Sequence, residues 1–148
     1  MLRALALVAL LLGLPETAAP QPACSPTRAD MLGPFYEPGA PERATTGRGL
    51  VVSGAVRSAK GCAGLLGAQL EWWSANASGE YDGAHRATQR AGAEGRYRYE
   101  TSVPGRYPGR PPHVHVRVSA PGHRTLVTQL YPRDGQTEMQ TDFVLIAD

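Results

Sequence analysis

His113-Val114-His115-Val116-Arg117-Val118-Ser119 alternates branched apolar residues with polar ones, which is the period of a β-strand. On such a strand both histidine rings fall on one face, with Cα atoms roughly 6.6 Å apart, close enough to converge on one ion. Just upstream runs Tyr107-Pro108-Gly109-Arg110-Pro111-Pro112, and further back stands Tyr81. Two phenolates and two imidazoles form an anionic donor set of hard to intermediate character. It suits a trivalent ion such as iron(III) better than zinc or copper(I). Spacing alone fits a plainer reading equally well, in which the tyrosines are sandwich-core aromatics and the histidines a half-buried pair.

Outward from that stretch, strand patterns recur at Leu50–Val56, Ala68–Trp73, Arg96–Thr101, Thr125–Tyr131 and Phe143–Ile146. Turn pairs separate them: Lys60-Gly61, Ser78-Gly79, Glu94-Gly95, Pro104-Gly105, Pro121-Gly122 and Asp134-Gly135. With 17 glycines, 13 prolines and no long helical period after the first residues, the expected fold is all-β, a single β-sandwich. Residues 49–148 form that sandwich domain, and residues 20–48 an extended N-terminal arm punctuated by Pro26, Gly33-Pro34, Pro38-Gly39 and Pro41. Inside the arm, Phe35-Tyr36 are expected to pack on the body or beside a pocket.

Met1-Leu2-Arg3 and the apolar run Ala4 to Leu14, followed by small residues, outline a signal peptide over about residues 1–19. The run is too short for an ordinary membrane span, so export without a membrane anchor, to the periplasm or the medium, is expected. Cys24 and Cys62 can then form one disulfide in an oxidising compartment, tying the arm to the first sheet region. Neither cysteine has the spacing of a structural zinc site. The formal net charge is +2, with basic residues scattered rather than clustered, which gives no reason to expect a nucleic-acid partner.

The ordered series of motifs resembles the intradiol ring-cleavage dioxygenases, non-haem iron(III) enzymes that open catechol-type rings. The likeness starts at Gly33-Pro34-Phe35-Tyr36 and continues through Gly49–Gly54 and Ala68–Tyr81. It then runs through Gly95–Thr101, Tyr107, Arg110-Pro111-Pro112-His113-Val114-His115, and Ser119–Tyr131. That resemblance implies a β-sandwich and an Fe(3+) ion held by Tyr81, Tyr107, His113 and His115. It casts Tyr107 as the ligand that gives way to substrate and helps deprotonate the diol, Arg110 as a stabiliser of developing negative charge, and Gln129 as an orienting residue. Phe143 falls in the last region, which in the family helps shape the substrate pocket, and Phe35, Tyr36 and Arg110 complete the expected substrate-binding set. The implied reaction consumes a catechol-type small molecule and O2, cleaves between the two hydroxyl-bearing carbons and gives a cis,cis-muconate-type product. Oligomeric state is left open.

The main rival is a secreted, non-catalytic β-sandwich binding module on the same scaffold. A cupredoxin-like or zinc hydrolase site fares worse, because the chain lacks the cysteine-methionine set or His/Glu motif these need. Other polar residues have plain readings: His85 in an exposed glycine-rich loop, and His123 as part of a turn. Trp72 and Trp73 point to opposite faces of their strand, one to the core and one beneath the arm. Tyr97 and Tyr99 share a face as packing residues. Asn76-Ala77-Ser78 fits the N-glycosylation pattern, which is frequent by chance.

Overall fold

The expected alternation becomes two stacked sheets of four strands each in the computed structural model, which describes residues 24–148. The expected signal peptide lies outside the described residues. In chain order the strands are β1 (Gly49–Ser58), β2 (Gln69–Ala75), β3 (Tyr81–Arg90), β4 (Arg96–Ser102), β5 (Val114–Ser119), β6 (Leu126–Leu130), β7 (Glu138–Gln140) and β8 (Phe143–Leu145). One sheet is built on β1, which pairs antiparallel with β4 and parallel with β7 and then β8. The other runs β3-β2-β5-β6, with every neighbouring pair antiparallel.

Period-two alternation explains the packing between the sheets. In β4, Tyr97 and Tyr99 point inward while Arg96 and Arg98 remain in water. From β1 come Leu50, Val52 and Val56, and opposite them stand Leu70, Trp72, Val114, Val116 and Val118. Trp72 stacks on Tyr99 with ring centroids 4.5 Å apart. Each fully buried aliphatic side chain contributes about 1.5–3 kcal/mol of transfer free energy. β7 and β8 are two short pieces because the chain jogs across β1 between them. Gly54 makes room for that jog: a Cβ there would stand 1.9 Å from the Thr141 carbonyl oxygen. Asp142 then closes the gap by accepting from the Ala55 backbone N–H at 2.8 Å and from Arg57.

β5 departs from simple alternation, since both of its faces are largely buried. The arm covers the second face. A disulfide joins Cys24 to Cys62, with Cα atoms 5.3 Å apart. The arm then donates from Thr27 N to the Val144 carbonyl and from Asp30 N to the Val127 carbonyl. It crosses the outer face of the β3-β2-β5-β6 sheet and reaches the far edge, where Thr88 N donates to the Pro41 carbonyl at 2.8 Å.

Two strands lie where the sequence offers no strand pattern. β3 is polar along most of its length, and β7 is only three residues long. His85 therefore sits on β3 and not in an exposed loop. Its Nδ1 faces Asp82 Oδ1 at 2.7 Å, and this pairing holds the Asp82 carboxyl down to about 2. His123 does belong to a turn, and its Nε2 also reaches Ser58 Oγ at 2.9 Å, locking that turn to β1. The Asn76 side chain is occupied in its own loop: Oδ1 accepts from Ser78 N and Glu80 N, and Nδ2 donates to Asp82.

Candidate metal centre

A single register row crosses all four strands of the second sheet: Arg86 on β3, Trp73 on β2, His115 on β5 and Gln129 on β6. Strand geometry puts these four on the outer face, beneath the arm. Tyr81 is the first residue of β3, and His113 lies one residue before β5. Tyr107 and Arg110 bracket the turn just upstream, closed by Arg110 N donating to the Tyr107 carbonyl at 3.2 Å.

The four residues singled out by the sequence converge. His113 Nε2 and His115 Nε2 are 3.0 Å apart, and Tyr81 Oη is 3.2 Å from each of them. Tyr107 Oη is 3.3 Å from His113 Nε2. Donors spaced this way form the edges of a shell whose bonds are roughly 2.1 Å long, the length of an ordinary metal–imidazole bond. Among the described residues no group of three His, Cys, Asp or Glu could hold a metal ion. A metal here must therefore accept phenolates, which selects for a hard trivalent ion. The residues fit iron(III).

Burial and neighbours prepare the donors. His113 Nδ1 donates to the Pro111 carbonyl at 2.8 Å, which fixes the tautomer and leaves the Nε2 lone pair facing the centre. Burial keeps both imidazoles in the neutral, ligating form. His115 is pushed down to about 3, with the neighbouring His113 and Arg110 adding to the desolvation. His113 shifts the same way, chiefly through burial. Tyr81 moves upward, first through desolvation and then through the adjacent Tyr107. Without a cation this phenol holds its proton, so a cation must displace it.

Surrounding side chains hold the His115 ring. Trp73 stacks on it with centroids 4.8 Å apart and planes 9° apart. Close to the same ring lies Gly33 of the arm, where a Cβ would come within 3.2 Å of His115 Cε1. Gly33 also has φ +73°, a left-handed conformation that favours glycine. Phe35 stacks on Tyr81 at 4.2 Å, and its carbonyl accepts from Arg86, a buried guanidinium that also reaches Glu37.

A cavity of about 220 Å³ opens beside the donors, lined by Met31, Pro34, Phe35, Tyr107, Arg110, His113 and Gln129 among others. Phe35 thus stands where the sequence places it. Tyr36 does not line this cavity. It leaves the turn at Pro34-Phe35 in the other direction, packs on Trp73 at 5.1 Å and donates its hydroxyl to Glu71 at 2.8 Å. Phe143 is also not a pocket residue. It is fully buried between the sheets, stacked on Tyr97 at 5.4 Å, and the alternation of β8 sends it to the core. Sequence reasoning missed Trp73 as the platform for His115 and Arg86 as the clamp on Phe35. The strand alternation of β2 sends one of Trp72 and Trp73 beneath the arm without saying which, and nothing in the polar β3 stretch marked Arg86.

Against this geometry, a protein-family model described as a dioxygenase matches residues 37–147. The chain belongs to the intradiol ring-cleavage dioxygenase family. It is 34% identical to the dioxygenase domain of a dioxygenase carbohydrate-binding protein fusion from Streptomyces sp. SirexAA-E. That match covers 84% of this chain and 100% of that one, with a TM-score of 0.75. The 6-chlorohydroxyquinol 1,2-dioxygenase of Cupriavidus pinatubonensis is 30% identical over 152 residues, covering 80% of this chain and 54% of the relative. Catechol 1,2-dioxygenase of Candida albicans is 35% identical over 142 residues, covering 71% of this chain and 46% of the relative. The chain spans about half the length of these curated relatives. For an intradiol dioxygenase, the Tyr81, Tyr107, His113 and His115 cluster is the Fe(3+) site.

Proposed function

We propose that this family member opens a catechol-type ring between its two hydroxyl-bearing carbons with O2, giving a cis,cis-muconate-type diacid that retains both oxygen atoms. The observation that carries the reading is the convergence of two phenols and two imidazoles at 3.0 to 3.3 Å beside a cavity. When bound, ferric iron supplies Lewis acidity toward the diolate.

The chain's own residues supply binding, proton handling and charge. Tyr107 lines the cavity from a turn, whereas Tyr81 is fixed at the start of β3 and pinned under Phe35. Tyr107 is therefore the side chain free to move, and as the phenolate that a bound ferric ion would hold it would take a proton from the incoming diol and leave as the phenol. Arg110 presents a cation at the cavity wall and stabilises negative charge that develops on the ring oxygens. Gln129 orients Arg110, since its Oε1 accepts from the guanidinium while its Nε2 donates to the Met31 carbonyl. Phe35 walls off one side and shields Tyr81 from water. The Cys24–Cys62 disulfide supports action in an oxidising compartment outside the cytoplasm. Among the described residues no helix is long and apolar enough to cross a membrane.

Turnover of catechol under ¹⁸O2, read by mass spectrometry, tests the reading. Ring-opened diacid carrying two labelled oxygens is expected. Unchanged diol, or a product opened beside the diol instead of between its hydroxyls, contradicts it.

A further inference from the structure

Behind Arg110 and Gln129 lie two polar groups, Tyr131 and Asp30, that the reaction outlined above does not use. Arg110 makes its side-chain hydrogen bonds, among the described residues, through Nη2 alone: to Gln129 Oε1, and at 3.4 Å to Tyr131 Oη. Its Nε is buried without a partner. The direction of the guanidinium therefore hangs on what Nη2 finds. Tyr131 Oη in turn stands 2.8 Å from Asp30 Oδ2 and 3.0 Å from Gln129 Oε1.

A phenol has one proton, and here two acceptors stand within reach of it. Asp30 is held ionised by the Met31 backbone N–H and by the Tyr131 hydroxyl itself. A carboxylate is the stronger acceptor, so the Tyr131 proton points at Asp30 and Gln129 Oε1 is left to Arg110. The orientation of the Gln129 amide follows from its Nε2 donating to the Met31 carbonyl at 2.7 Å. Asp30 and Met31 belong to the arm, which thereby decides a hydrogen bond made beside the metal centre.

We propose that Asp30 and Tyr131 are positioning residues for Arg110, setting where its guanidinium stands by deciding which acceptor its Nη2 keeps. The proposal rests on the dioxygenase reading for its effect on rate, but not for its effect on Arg110 itself.

Asp30→Asn is the informative variant. Its Oδ1 can still accept from Met31 N, while an N–H replaces the acceptor that faced Tyr131. The Tyr131 proton must then turn to Gln129 Oε1 and compete with Arg110. Tyr131→Phe removes the competitor, so it is mild alone and suppresses Asp30→Asn when combined with it. In ¹⁵N-labelled metal-free protein, the Arg110 side-chain N–H signals are expected to exchange with water on the order of tenfold faster in Asp30→Asn, and to return towards the wild-type rate in the double variant. In the iron-loaded protein, kcat is expected to fall on the order of tenfold in Asp30→Asn with KM and resting absorption little changed, and the loss to vanish on an Arg110→Ala background. Wild-type exchange rates in Asp30→Asn, a double variant no better than Asp30→Asn, or a loss that persists in full without Arg110 would each overturn the proposal. Absence of turnover in the wild type defeats the dioxygenase reading instead, and the exchange rates still decide this one.

Discussion

Trp73 and His115 stack face to face across two paired strands, 4.8 Å between centroids, so the imidazole plane is set by a residue that lies beneath the arm and outside the core. Its neighbour Trp72 points the opposite way, into the space between the sheets. The two tryptophans therefore separate site from fold. Trp73→Leu is expected to weaken iron binding by about 10–100-fold, as loss of a group that orients a ligand does. Trp72→Leu is expected to cost about 2–4 kcal/mol of stability through the cavity it leaves. Metal titration and thermal unfolding of both variants check the assignment, and a reversed pattern would contradict it.

Gly33 carries a double constraint, a left-handed backbone and His115 Cε1 within 3.2 Å of any added Cβ. Gly33→Ala is expected to cost about 1–2 kcal/mol from the backbone alone. Iron affinity should fall with it, because the methyl group presses on a ligand ring. Gly39→Ala shares the positive φ but has open space around it. It should lose stability while keeping iron affinity, and equilibrium metal binding of the pair separates crowding from strain.

Much of the centre was legible because its signals are local. His113 and His115 share a strand face by spacing, and the ordered motifs around Tyr81, Tyr107 and Arg110 carry the rest of the ligand set. The arm was legible as an arm from its prolines and glycines. What it does was not, since crossing an outer sheet face leaves no periodic trace. Phe143 shows the opposite failure: family position suggested a pocket, while the alternation of β8 buries the ring against Tyr97. β3 escaped notice because Asp82, Gly83, His85, Arg86 and Gln89 read as loop. Its pairing with β2 on one edge and with the arm at Thr88 on the other make it a strand.

Protonation gives a signed expectation for the metal-free protein. Burial lowers His115 to about 3, against an ordinary value of 6.5. The unfolded chain binds this proton between those two values and the folded chain does not, so stability rises with pH across that window and falls as pH drops through it. Denaturant unfolding from pH 4 to pH 7 should show the midpoint climbing. A His115→Phe variant should show a flatter profile, and an unchanged slope would contradict the assignment.

Iron loading at neutral pH should release protons. Burial and Tyr107 push the Tyr81 phenol upward, and both imidazoles are kept neutral. The ion must therefore displace one proton from each phenol it binds. Calorimetry in buffers of different ionisation enthalpy counts them. Tyr81→Phe should lower the count by about one. An equal count in wild type and variant would place the iron elsewhere.

The disulfide anchors the end of an arm that carries Asp30, Gly33 and Phe35 to the site. Its sequence separation of 38 residues predicts that Cys24→Ser with Cys62→Ser costs about 2–4 kcal/mol. Because the arm also walls the cavity, substrate affinity should fall more than iron affinity does. Thermal unfolding and binding titrations of the double variant check both.

Visible spectroscopy of the iron-loaded protein during anaerobic addition of catechol tests the four-donor centre most directly. Wild type should be wine-red from phenolate-to-iron(III) charge transfer, the colour should shift as catechol binds, and Tyr81→Phe should lose the share of it that Tyr81 supplies while keeping that of Tyr107. A folded, iron-exposed wild type that stays colourless would contradict the centre outright.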